Sequence, residues 1–182
     1  MFTQYRILLT VVLLLLIVFS NSVFSQESEE IKKPKIVERN WGGPRLGFTY
    51  LLAGSALQKK LDEKNIGNLV SQFGWHFEWQ VIPEGGGPQF VTEFIPLVGG
   101  VEYGTLIPSL SLIFGVRFPN GLEFGLGPNL SPSVGGGAAT SIIGAIGKSF
   151  DYGGVSIPIN LAVAKNPDGT RVSIIFGYAL LK

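Results

Sequence analysis

The stretch SQFGWHFEWQV, residues 71–81, alternates strictly. Phe73, Trp75, Phe77, Trp79 and Val81 share one parity; Gln72, Gly74, His76, Glu78 and Gln80 share the other. Successive side chains of a strand point to opposite faces, so this segment presents one bulky apolar face and one polar face. The pattern recurs. Across 105–118, Leu106, Leu110, Leu112, Phe114, Val116 and Phe118 alternate with residues such as Ser109, Ser111, Gly115 and Arg117. Leu122, Phe124, Leu126 and Leu130 stand against Glu123, Gly125, Gly127 and Asn129, and 155–163 and 172–180 repeat the theme. Eight strands are expected, near 43–53, 70–82, 88–98, 104–118, 121–131, 135–149, 153–164 and 170–181, separated by Gly, Pro, Asn and Asp.

The turns test these faces. A three-residue Pro119-Asn120-Gly121 loop with Gly121 left-handed pairs Phe118 with Leu122 and Arg117 with Glu123, so the faces agree along the hairpin. A turn over Asn166-Pro167-Asp168-Gly169 aligns Val163 with Val172 in the same way. One segment departs from the pattern: in 54–67, Ser55 is an N-cap, Leu57 and Leu61 are four apart and Gly67 is a stop, which predicts a short helix. Pro96, Pro108, Pro128 and Pro158 each remove a ladder donor and predict bulges or strand ends nearby.

The first residues specify export. One arginine, an apolar run over 7–19 and a small-residue site ending Val23-x-Ser25 read as a secretory signal peptide, 1–25, cleaved before Gln26. The run is shorter than the ~20 residues of a spanning helix. The next segment, 26–40, mixes charges of both signs with few core formers and reads as a periplasmic tail or linker, leaving 41–182 as the folded domain. Cleavage removes Arg6 and no acid, taking 14 basic residues to 13 against 13 acidic. A neutral chain without a basic run offers nucleic acid no footprint. Absence of cysteine excludes a disulfide framework and a thiolate-ligated metal.

Alternating strands closed into a barrel can face either way: apolar inward around a lipophilic ligand, as in a soluble periplasmic barrel, or apolar outward to lipid. Size decides first. The interior of an eight-stranded barrel would be overfilled by these rings, whereas Gly, Ser, Asn and Ala with a few charges fit it. Charge decides second, because the polar faces hold few charges and almost no lysine, unlike a solvated surface. Length decides third: strands of about 11 residues span the hydrocarbon layer when tilted. Trp41, Trp79, Tyr103, Tyr152 and Tyr178 fall towards strand ends, where an aromatic girdle is expected. The fold expected is an all-β, eight-stranded antiparallel up-and-down transmembrane barrel with one short helix in the first connection.

On GPRLGFTY, LIFGVRFPNGLEFGLGPNL and the closing IIFGYALLK, the region from Trp41 resembles the small eight-stranded outer-membrane barrels of the OmpA/OmpX type. That resemblance implies an integral outer-membrane protein of a Gram-negative cell, in contact with outer-membrane lipid, with its N-terminus periplasmic and the helical connection outside.

Chemistry is sparse. Some barrels of this membrane are lipid A acyltransferases or deacylases that use His, Ser and an acid, and His76 with Glu78 shares a face with Ser109 or Ser111 as a conceivable nucleophile. The plainer reading, a lumen histidine bonded to polar neighbours, is preferred, because the parity turns His76 away from lipid. No metal or cofactor is expected: KNPDGTR supplies one Asp and one Asn, and the glycine runs at 83–88 and 133–147 lack a phosphate-loop context. Arg45, Arg117 and Arg171 against Glu78, Glu93 and Glu123 predict a paired charge network that plugs the lumen. The function expected is a structural or interaction role without enzymatic activity.

Overall fold

The computed structural model describes residues 35–182. The expected signal peptide and the charged segment up to residue 34 lie outside the described residues. The strands are β1 (Ile36–Leu51), β2 (Leu69–Pro83), β3 (Gln89–Gly99), β4 (Ile107–Arg117), β5 (Leu122–Pro132), β6 (Ala138–Tyr152), β7 (Val155–Asn166), β8 (Gly169–Gly177) and β9 (Ala179–Leu181). Each pairs antiparallel with its neighbour, and β1 closes the sheet by pairing with both β2 and β8. β9 continues β8 as one stave, since Arg45–Gly177 and Trp41–Leu181 belong to the same register on β1. The result is a closed eight-stranded up-and-down barrel.

β1 starts at Ile36, ahead of Trp41, because Ile36–Asn40 pair with Trp79–Pro83 of a long β2. At one end of the barrel, the terminal end, lie the first and last described residues, 35 and 182, and the turns after β2, β4 and β6. At the other, the helix end, lies α1 (Ala56–Asp62). Ser55 caps it by accepting from the Gln58 N–H at 3.1 Å. The helix stops before Gly67, with Asn65 adopting the left-handed conformation at φ 57°. Leu57 and Leu61 pack on buried Leu51, Ile66 and Val70.

The registers follow the turn chemistry. Gly121 is left-handed at φ 82°, Phe118 N–H donates to the Leu122 carbonyl at 2.8 Å, and Arg117 faces Glu123. Val163 faces Val172.

The prolines produce no bulges. In an antiparallel pair, hydrogen-bonded and non-hydrogen-bonded residue pairs alternate, so a proline disturbs only the seam its missing N–H would have joined. Pro96 interrupts β2–β3 between Gly74–Leu97 and Phe77–Phe94, while β3–β4 runs through it unbroken. Pro128 interrupts β4–β5 and leaves β5–β6 intact. Pro44 falls opposite Tyr178 on one side and Pro158 opposite Gly177 on the other, which is why β8 and β9 separate there. Register survives every gap.

Parity sorts the faces. Phe73, Trp75 and Trp79 are 48%, 43% and 47% exposed on the outside, with Phe48, Phe90, Phe114, Phe124 and Phe176. This apolar belt is the lipid-facing surface of a transmembrane barrel. Inward face Arg45, His76, Glu78, Arg117 and Glu123.

Gly121 and Gly54 share the same left-handed φ, which costs a side chain ~1–2 kcal/mol. A Cβ at Gly121 would also meet the Ser149 carbonyl, whereas one at Gly54 meets open space. Gly121→Ala is therefore expected to destabilise the barrel more than Gly54→Ala in urea unfolding from lipid vesicles. Equal losses would contradict the tight turn.

Candidate functional site: the barrel interior

The interior is layered, and its charged layer is nearest the terminal end. Arg117 of β4 grips Glu78 of β2 with two bonds, at 2.6 and 3.0 Å, and donates through Nε to Glu123 of β5 at 2.5 Å. Glu93 of β3 lies 4.0 Å from its Nη2. Glu123 also accepts from Ser149 of β6 at 3.1 Å and Asn160 of β7 at 2.6 Å, and Gln80 donates to Glu78. Arg45 of β1 donates to His76 Nδ1 at 2.6 Å. Every stave from β1 to β7 thus contributes a group. Most of these groups are withdrawn from solvent, Arg117 and Glu78 each being 3% exposed. A carboxylate gripped by a fork of guanidinium donors offsets much of its desolvation through short, directional bonds.

His76 sits at the centre of this layer. Because Nδ1 accepts from Arg45, the neutral ring carries its proton on Nε2, which lies 3.4 Å from Glu78 and 3.7 Å from Glu93. His76, Glu78 and Glu93 gather within 4.8 Å. Arg117 already supplies the positive charge those carboxylates face, and it holds both Glu78 oxygens. The catalytic candidates come together only in part. His76 and Glu78 adjoin, but Ser109 and Ser111 bond instead to Asn129 Nδ2, at 2.8 and 3.0 Å. Among the described residues neither serine hydrogen-bonds to His76, so the base–nucleophile contact of a triad is not made.

Arg171 does not join the charged layer, contrary to the expected network. It donates to Ser131 at 2.7 Å, Asn129 Oδ1 at 3.0 Å and Ser141 at 3.1 Å. The reason is strand direction and length: Arg171 begins β8 at the helix end, whereas Arg117 closes β4 at the terminal end. The Asn129 partnership was readable in principle, because the Pro119-Asn120-Gly121 register sets Asn129 across from Ser111.

Between the two polar layers lies an apolar one that the sequence reading missed. Ile95, Leu97, Ile113, Ile143 and Ile175 pack with Ala162 and Ala164. Ile142–Ile143 and Ile174–Ile175 are doublets with one member outward and one inward, so alternation hides the inward residue. A void bordered by Arg45, Glu93, Ser111 and this isoleucine layer measures about 20 Å³, and one beside Glu123 and Asn160 about 20 Å³. Each is room for a single water.

The girdle expectation needs one correction. Trp79, Tyr152 and Tyr178 are exposed near the terminal end, and Tyr103, in the 3-10 turn at the helix end, donates to the Leu69 carbonyl at 3.0 Å. Trp41 is 5% exposed and lies inside. It has the parity of Arg45, and the early start of β1 makes it an interior residue of its strand, opposite Glu78.

A larger cavity of about 300 Å³ opens at the helix end, above Arg171, between α1 and the connections 100–106 and 133–137. Its lining includes Leu51, Leu57, Leu61, Ile66 and Val70, with Lys60 and Lys64.

No protein-family model matches the sequence, and no curated protein sequence matches it. Solved structures do match. The crystal structure of Ail, the attachment invasion locus protein of Yersinia pestis, aligns over 80% of this chain and 97% of its own at 11% identity and a TM-score of 0.52. Ail in complex with the heparin analogue sucrose octasulfate aligns over 80% and 97% at 13% identity and a TM-score of 0.46. The backbone structure of Ail in a phospholipid bilayer nanodisc aligns over 78% and 99% at 13% identity and a TM-score of 0.43. Likeness at such identity speaks to architecture: the chain has the fold of the small eight-stranded outer-membrane β-barrels.

Proposed function

We propose that the chain is an integral outer-membrane barrel, exported through a cleaved signal peptide, with a closed lumen and a structural or interaction role rather than an enzymatic one. The observation that carries this reading is the charged layer around Arg117. It draws groups from β1 to β7, and the neighbouring voids are too small for more than a water each. Such an interior is built to hold the wall together and leaves no route for solutes. The apolar belt supports contact with outer-membrane lipid. The name of the Ail neighbour, an attachment invasion locus protein, is consistent with a role in surface contact. His76 supports the non-enzymatic reading, since its Nδ1 is engaged by Arg45 and its face is turned from lipid.

Two measurements test it. Protein inserted in planar bilayers is expected to give no stepwise conductance, whereas discrete openings would contradict a closed lumen. Removing Arg117 leaves buried carboxylates unpaired, which costs ~3–5 kcal/mol. Arg117→Ala is therefore expected to destabilise the barrel far more than Lys165→Ala, an exposed position, in detergent unfolding. Equal effects would refute the plug.

A further inference from the structure

We propose that the helix-end cavity binds a single-chain anionic amphiphile, a fatty acid, which enters sideways from the bilayer through the seam between β4 and β5. The cavity of about 300 Å³ has an apolar wall and is at the small end of ligand pockets. Its charged groups are Lys60, Lys64 and Arg171. Among the described residues none of the three has a carboxylate within ion-pair distance. Lys60 donates to the Val134 carbonyl and Arg171 to neutral groups. The nearby Asp168 carboxylate is engaged elsewhere, by the Ser133 hydroxyl at 2.9 Å and the Val134 N–H at 3.2 Å. An apolar pocket lined by three cations with, among the described residues, no carboxylate in direct contact and only Asp168 near Arg171, matches a hydrocarbon chain with a negative head.

The route is written in the backbone. β4 stays paired with β3 up to Ile107, and β5 with β6 up to Pro132, yet β4 and β5 part beyond Leu110–Leu130. The next hydrogen-bonded pair in that register would join Pro108 to Pro132. Neither has an N–H, so the seam cannot zip there. Outside it, a cleft of about 370 Å³ faces lipid, lined by residues including Pro96, Val98, Leu110 and Leu130. Ser109, Ser131, Pro132 and Gly137 line both this cleft and the inner cavity, so one thin wall separates them. The charged layer lies deeper, so an entering chain ends in a blind pocket rather than a channel.

The test uses the mature protein in phospholipid nanodiscs, with displacement of dansyl-undecanoate fluorescence by decanoate or decanol. Decanoate is expected to bind about tenfold more tightly than decanol. Lys60→Gln with Lys64→Gln should remove most of that preference while leaving decanol affinity unchanged. Leu61→Trp, which fills the cavity, should abolish binding of both. Pro108→Val with Pro132→Val restores both donors; it should slow uptake from the bilayer about tenfold while leaving equilibrium affinity in detergent micelles intact. Heat-modifiable gel migration verifies that each variant is a closed barrel. Absence of decanoate binding, or its persistence in Leu61→Trp, would overturn the pocket. Unchanged uptake in the double-proline variant would overturn the lateral route.

Discussion

Closure of the backbone ladder is the constraint on which this molecule depends. In hydrocarbon an unpaired N–H or carbonyl has no water to turn to, so a strand-built protein must pair its backbone groups around a ring. Pairing of β1 with both β2 and β8 completes that ring. Once closed with so few staves, the sheet has a narrow inside and a broad outside. Large rings go out, and small or paired polar groups go in. The alternation in the sequence is the imprint of that geometry.

Prolines show how local the constraint is. Each leaves one seam without a donor and does no harm at the other, so register passes undisturbed through Pro44, Pro96, Pro128 and Pro158. At Pro108 and Pro132 two prolines coincide across what would be one hydrogen-bonded pair. There the ladder ends early, next to the cavity at the helix end. The same rule that keeps the barrel shut elsewhere explains why that corner opens.

Much of this was legible in the residues. Strand positions, the two hairpin registers and the short capped helix all followed from alternation and turn chemistry, because those signals are local. What was not legible depends on distance around the ring. Arg171 shares the inward parity of Arg117, but parity carries no height, and the two lie in different layers. Trp41 was placed in the girdle from an assumed strand start; pairing of Ile36–Asn40 with β2 moves that start and turns the ring inward. The isoleucine layer was masked by doublets whose outward member already satisfied the pattern. In each case the missing information was a pairing partner rather than a residue type.

The three tryptophans offer the sharpest check on which face meets lipid, because Trp75 and Trp79 point outward and Trp41 inward. Variants keeping one tryptophan each, reconstituted in bilayers of bromine-labelled phospholipid, should show strong fluorescence quenching for Trp75 and Trp79 and little for Trp41. Quenching of Trp41 with protection of Trp75 and Trp79 would mean the barrel is inside out relative to this account.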